Sequence, residues 1–152
     1  MPCHTATTKK DIVIPPDMTV ERALQHLRKQ KVSTLAVIDE EGRMVGLFSE
    51  KILLQNLIPV SVAVSEGVMM DIKVGAAPGV AKRLGKTKAL PVCDVALRKF
   101  SSVDPDAPLW EAVSLITRHG GPLAVVDKNG KYFGLITYAT LLDALEDMSG
   151  QE

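Results

Sequence analysis

The sequence predicts a mixed α/β (α+β) protein built from two tandem β-α-β-β-α units. The first observation behind this is self-similarity. The stretch "DIVIPPDMTVERALQHL" (11–27) lies over "FSSVDPDAPLWEAVSLI" (100–116), and "LAVIDEEGRMVGLFSEKILL" (35–54) over "LAVVDKNGKYFGLITYATLL" (123–142). Asp17 and Asp106, Ala23 and Ala112, and Leu27 and Ile116 are 89 residues apart, whereas Asp39 and Asp127, Gly42 and Gly130, Gly46 and Gly134, and Leu53 and Leu141 are 88 apart. One residue is therefore lost near Lys31–Ser33. The second observation is a helical stripe in each copy, and the third is a pair of short apolar runs around a polar, glycine-bearing turn. One such unit of about 50 residues cannot bury both of its faces, but two packed together can.

The elements follow in order. An extended segment leads each copy. Val20, Ala23, Leu24 and Leu27 then stand at i, i+3, i+4 and i+7, one face of a helix, and Leu109, Ala112, Val113 and Ile116 repeat the spacing. Thr19 is placed to cap the first helix. In the second, Asp106 is expected to accept from first-turn amides, with Pro108 early in the helix, where its missing N–H costs nothing. His119, Gly120 and Gly121 read as the end of that helix and a turn. A strand follows, "TLAVI" (34–38) or "PLAVV" (122–126). The turns "DEEG" and "DKNG" each end in a glycine that can adopt the positive φ of a tight hairpin. A second strand, "RMVGLF" (43–48) or "KYFGLI" (131–136), leads into a helix starting near Ser49 or Thr137. The units are repeat 1 (1–66) and repeat 2 (91–152), with a connector (67–90) that has no counterpart in the other half. The connector is expected to hold one short helix around Val80–Leu84, ending at Gly85.

Bulk properties exclude several classes. The chain has 152 residues, 46% hydrophobic and 24% charged, with 18 Lys plus Arg against 18 Asp plus Glu. Zero formal charge gives no global field for nucleic acid or an anionic membrane. The N-terminal "MPCHTATTKK" has no apolar signal core. The longest apolar run, "LIPVSVAV" at 57–64, is far short of the roughly 20 residues of a membrane helix. The only cysteines are Cys3 and Cys93. They make no disulfide framework, which fits reduced thiols in a cytoplasm. Cys3, His4 and Cys93 lack zinc-ligand spacing, so no metal is expected. "GVAKRLGKT" (79–87) has five residues where a phosphate-binding loop of the Walker type needs four, and reads as a surface helix. Lys82, Arg83, Lys86 and Lys88 make it the most basic patch in the chain. Trp110, beside the apolar stripe, is expected to be half exposed. His26 and His119 lack a nucleophile at a recognisable spacing, so no catalytic constellation and no enzyme is expected.

Both repeats resemble the cystathionine-β-synthase-type (CBS) domain. Its pattern appears as "IPPD…A…AVIDEEG…GLFSEKI" and "VDPD…A…AVVDKNG…GLITYAT", and "PVCDVALRKF" (91–100) resembles the family's lead-in segment. The resemblance covers about 3–66 and 91–147. It implies two repeats packed about a pseudo-twofold axis with two clefts between them, and commonly a homodimer. It also implies a cytoplasmic regulatory module that senses an adenosine nucleotide such as AMP, ADP, ATP or S-adenosylmethionine. With no required cofactor, such a module acts through a partner protein. The alternative is a structural dimerisation module with empty clefts.

The resemblance also implies site residues. The family's "G-h-h-(S/T)-x-x-D" places a hydroxyl at the N-terminus of the last helix, where free amides favour an anion. Ser49 and Thr137 hold that position, and capping alone is the other role they fit. The family's ribose-binding aspartate is replaced by Ile52 and by Thr140, which can offer one weaker hydrogen bond. The proline of "PV-x-D" is replaced by Ala36 and Ala124. The cleft of Thr137 and Thr140 is therefore the expected ligand site, with Val103, Leu123, Ala124 and Val125 as wall positions that equally fit core strand.

Overall fold

The structure, a computed structural model, describes residues 2–8, 13–57 and 79–151. The apolar run beyond Leu57 and the connector up to residue 78 lie outside the described residues. In the first half the elements are β1 (Val13–Ile14), α1 (Val20–Gln30), β2 (Thr34–Ile38), β3 (Met44–Ser49) and α2 (Glu50–Leu57). Helix α3 (Val80–Thr87) follows. The second half repeats the order as β4 (Ser102–Val103), α4 (Leu109–His119), β5 (Leu123–Val126), β6 (Tyr132–Ile136) and α5 (Tyr138–Gln151). Each half forms its own three-stranded sheet, with the first strand parallel to the second and the second antiparallel to the third.

The sequence pattern explains these elements. Val20, Ala23, Leu24 and Leu27 are all buried. Burial of the larger ones contributes about 1.5–3 kcal/mol each. The Thr19 hydroxyl accepts the Arg22 amide at 3.3 Å, as expected of a cap. Helix α4 starts differently: Pro108 is its N-cap, and Asp106 does not cap it. Asp106 instead donates its own amide to the Asp104 carboxylate at 2.9 Å, in a turn that precedes the helix. Helix α3 also departs from expectation: it runs through Gly85 to Thr87. Lys88 ends it by donating its amide to the Leu84 carbonyl, a closure any residue can make. The two hairpin glycines, Gly42 and Gly130, adopt φ of 83° and 84°. In each turn the leading aspartate accepts two amides, Glu41 and Arg43 on Asp39, Asn129 and Lys131 on Asp127.

The central strands are buried on both faces, which is why they read as continuous apolar runs. Leu123 and Val125 point into the core under α4 and α5, and Ala124 points the other way, into a cluster shared between the sheets. That cluster joins Leu47 and Ile52 from the first half to Ala124 and Leu135 from the second. The hairpin turns pair reciprocally: the Met44 amide donates to Gly130 and the Tyr132 amide to Gly42, at 2.9 and 3.1 Å. This reciprocity is the signature of a pseudo-twofold axis between the repeats.

The lead-in segments cross over. Cys3 and Ala6 are buried in the core of the second half, and the Thr8 amide donates to Leu135 at 2.8 Å. Val92 and Val95 are buried in the core of the first half, and Leu97 exchanges both backbone bonds with Leu47 at 2.8 and 3.0 Å. Each crossing runs over a glycine. A Cβ on Gly46 would lie 2.9 Å from the Leu97 carbonyl oxygen, and one on Gly134 would lie 2.7 Å from the Thr7 side chain. Contiguous repeats in sequence thus become interlocked units in space.

Candidate functional site

The two strand-to-helix junctions are equivalent in place and different in chemistry. At the first, Ser49 ends β3 and its hydroxyl accepts the Ile52 amide at 3.1 Å. Ile52 is 9% exposed and belongs to the inter-repeat cluster. At the second, Thr137 accepts the Thr140 amide at 3.2 Å, and the Thr140 hydroxyl accepts the Thr137 amide at 2.9 Å. This is a reciprocal cap with threonine in the place usually held by a glutamate or glutamine. The Thr140 hydroxyl also lies 3.2 Å from the Thr137 carbonyl and 3.3 Å from its hydroxyl. Both threonine side chains are thereby committed locally.

A cavity of about 680 Å³ opens at the first junction. Leu47, Ile52, Leu97 and Phe100 give it an apolar wall. Ser49, Lys51, Lys99 and Ser101 bring hydroxyls and cations, and Glu50 is the one carboxylate among its described lining residues. Ser33 and Thr34 line it from the first repeat, and His119, Gly120, Gly121 and Pro122 from the second. Its size is within the range of small-molecule sites, and its mixture of apolar wall and a few polar groups is typical of them. The start of α2 adds first-turn amides without carbonyl partners in the helix.

Of the expected site residues, Ser49 lines this cavity, whereas Thr137 and Thr140 belong to the other junction. Val103, Leu123 and Val125 are buried in the core of the second repeat, and Ala124 in the inter-repeat cluster. The structure brings in Lys51, Lys99 and Phe100, which sequence reasoning did not single out, and His119, which it read only as a helix end without a catalytic partner. Lys99 and Phe100 end the "PVCDVALRKF" lead-in, whose recognition was the available signal; the crossover is what delivers them to the first repeat. Trp110 is 67% exposed, on the first turn of α4.

Cys3 and Cys93 sit on the two different lead-ins. Cys3 is buried against the second repeat and donates weakly to the Pro108 carbonyl at 3.5 Å. Burial pushes its thiol pKa above 9.0, reinforced by Glu111 and Asp104 and opposed by a hydrogen bond at Ala112. Among the described residues no group of three or more His, Cys, Asp or Glu is arranged to hold a metal ion. Among them, too, no helix is long and apolar enough to cross a membrane.

The duplicated sheets, reciprocal hairpins and crossed lead-ins define a tandem-repeat module of the CBS type. The CBS domain family model matches residues 6–59 and 86–147, and the chain belongs to that family. Among curated proteins it is 26% identical over 137 residues to the A-adding tRNA nucleotidyltransferase of Aquifex aeolicus. That match covers 89% of this chain and 13% of the relative, so the chain spans a small part of that enzyme's length. It is 31% identical over 144 residues to CBSX1, a chloroplastic CBS domain-containing protein of Arabidopsis thaliana, covering 91% of this chain and 61% of the relative. Among solved structures it is similar to CBSX2 of Arabidopsis thaliana, with a TM-score of 0.72, 24% identity and coverage of 97% and 96% of the two chains. CBSX2 has also been solved in complex with AMP, where the TM-score is 0.70 and the coverage 97% and 98%.

Proposed function

We propose that this chain is a regulatory module that binds an adenosine nucleotide between its repeats and acts through a partner protein, working as a cytoplasmic homodimer without chemistry of its own. The observation that carries the reading is the cavity at the Ser49 junction. Lys51, Lys99, the Ser49 hydroxyl and the start of α2 suit a phosphate. Leu47, Ile52 and Phe100 suit the flat face of a base. The AMP complex of CBSX2, a protein of the same fold, supports the ligand class. The Ser49 cleft is preferred to that of Thr137 and Thr140, because both threonine hydroxyls are already engaged with each other. A ligand here touches α2, the crossing lead-in and the Gly120–Pro122 turn at once. It therefore favours whichever inter-repeat arrangement closes around it, which is the differential affinity a switch requires.

Calorimetric titration with AMP, ADP, ATP and S-adenosylmethionine tests this. At least one is expected to bind, with affinity lowered about tenfold or more in Lys99→Glu. A saturating ligand at about 100 times its Kd should also stabilise the fold by about 2.7 kcal/mol. One observation favours a second reading, a structural module with empty clefts: Ile52 puts an apolar side chain where the family holds ribose. Absence of heat and of any thermal shift with all four ligands would replace the first reading with this one.

A further inference from the structure

We infer that Asn56 is a positioning residue for the Ser49 cavity. Its side-chain amide brackets α2 to the second lead-in, and so sets where Lys51 stands relative to Lys99 and Phe100. The consequence for affinity rests on the nucleotide reading above; the bracket itself does not.

The bracket is two hydrogen bonds from one nitrogen. Asn56 Nδ2 donates to the Ile52 carbonyl, one turn back on α2, and to the Val95 carbonyl of the lead-in, each at 3.0 Å. Both partners are carbonyls, so only the NH2 end of the amide can face them, with one proton for each. The bond back to the helix fixes the side chain on α2, and the second proton is then aimed at the lead-in along one direction. Val95 is 6% exposed, a place where a carbonyl without a partner is costly.

The elements so joined carry the polar groups of the cavity. Ser49, Lys51 and Ile52 stand where β3 passes into α2, Leu97, Lys99 and Phe100 stand just past Val95, and all six line the cavity. The lead-in is held upstream and at Leu97 by its backbone: Val92 and Cys93 donate to Met18 and Pro16, and Leu97 pairs with Leu47 on β3. Helix α2 leaves β3 at Ser49 and rests Ile52, Leu53 and Leu57 on the core. Apolar packing resists separation but is non-directional, so it permits a helix to slide or turn. A hydrogen bond weakens steeply when misaligned. Asn56, near the far end of α2, therefore fixes the direction in which the helix runs from Ser49, and with it the place of Lys51.

The second repeat shows what this adds. The equivalent of Asn56 is Ala144, 88 residues on, and the equivalent of Val95 is Ala6. Both alanines are buried in one apolar cluster, and an alanine has no side-chain donor to aim. The directional bond thus belongs to the junction with the cavity, and the apolar contact to the junction that Thr137 and Thr140 close on themselves.

Hydrogen exchange followed by NMR, with calorimetry on the same full-chain variants, tests this. Asn56→Leu keeps the size of the side chain and removes both donors. It should speed exchange of the Ile52 and Leu97 amides, which bond to Ser49 and Leu47, by about tenfold or more. Their repeat equivalents Thr140 and Thr8, which bond to Thr137 and Leu135, should stay within about twofold. Equal acceleration of all four would mean a general loss of stability, and no acceleration a slack bond; either would overturn the proposal. Nucleotide affinity should fall about tenfold in Asn56→Leu, but about threefold or less when Lys99→Ala is already present, because the cation being placed is then gone. A tenfold loss in both backgrounds, or none in either, would overturn the placement of Lys99. Asn56→Ala makes the same comparison with a smaller side chain, should the fold refuse leucine. If the wild type takes up none of the four nucleotides, the nucleotide reading falls, and the exchange pattern alone upholds or overturns the bracket.

Discussion

The Ser49 and Thr137 junctions descend from one pattern and have become different devices. Both are a strand running into a helix at the repeat interface, and in both a hydroxyl caps the helix. Three residues later the second junction has Thr140, which returns the hydrogen bond and closes the turn on itself. The first has Ile52, which returns nothing and packs across the pseudo-twofold axis. The closed junction spends its polar groups internally. The other leaves its serine and the neighbouring lysines facing a cavity. Duplication thus gave one copy that fastens and one that stays available.

The largest expected effect concerns what the two junctions share, the crossing lead-ins. Gly46→Ala and Gly134→Ala should each destabilise the fold by about 2–4 kcal/mol in denaturant titration, because each crossing leaves no room for a Cβ. Gly134→Ala should cost more, since its φ of +149° adds strain. Equal and small losses would mean that the lead-ins are loosely held.

The next effect breaks the symmetry. Ile52→Ala removes a side chain from the inter-repeat cluster and should cost about 2–4 kcal/mol. Thr140→Ala, at the equivalent position, removes a cap and should cost about 1 kcal/mol. Similar values at the two positions would erase the distinction between packing and capping.

The smallest effect is electrostatic and belongs to one lead-in. Burial, first among its causes, raises the Cys3 pKa above 9.0. The folded state then holds the thiol proton more tightly than the unfolded state. The associated stability is present below 9.0 and is lost as pH rises through that value toward the folded pKa. Cys3→Ala should therefore flatten the alkaline limb of a stability–pH curve.

Much of the fold was legible because it is written in local periodicity. The stripe from Val20 to Leu27 and the runs at 34–38 and 122–126 fixed the elements, since an amphipathic helix and a doubly buried strand each leave a direct trace. Repetition then announced the pairing, because neither unit can bury its surface alone. Capping was less legible. Asp104 and Asp106 both suit a turn, and only backbone geometry decided that neither side chain caps α4.

The candidate site was legible only in part. Ser49 was marked by its place in "GLFSEKI", but Lys99 and Phe100 lie some 50 residues further along the chain. No short-range pattern links them. Sequence alone determined that there are two units, that each ends in a hydroxyl-capped helix, and that the carboxylate of the family's motif is missing from both. Tertiary structure decided which lead-in serves which repeat and hence that Lys99 and Phe100 line the cavity at Ser49. The physical reason is that hydrophobic patterning specifies which faces must be covered, while only the folded chain determines which segment covers them.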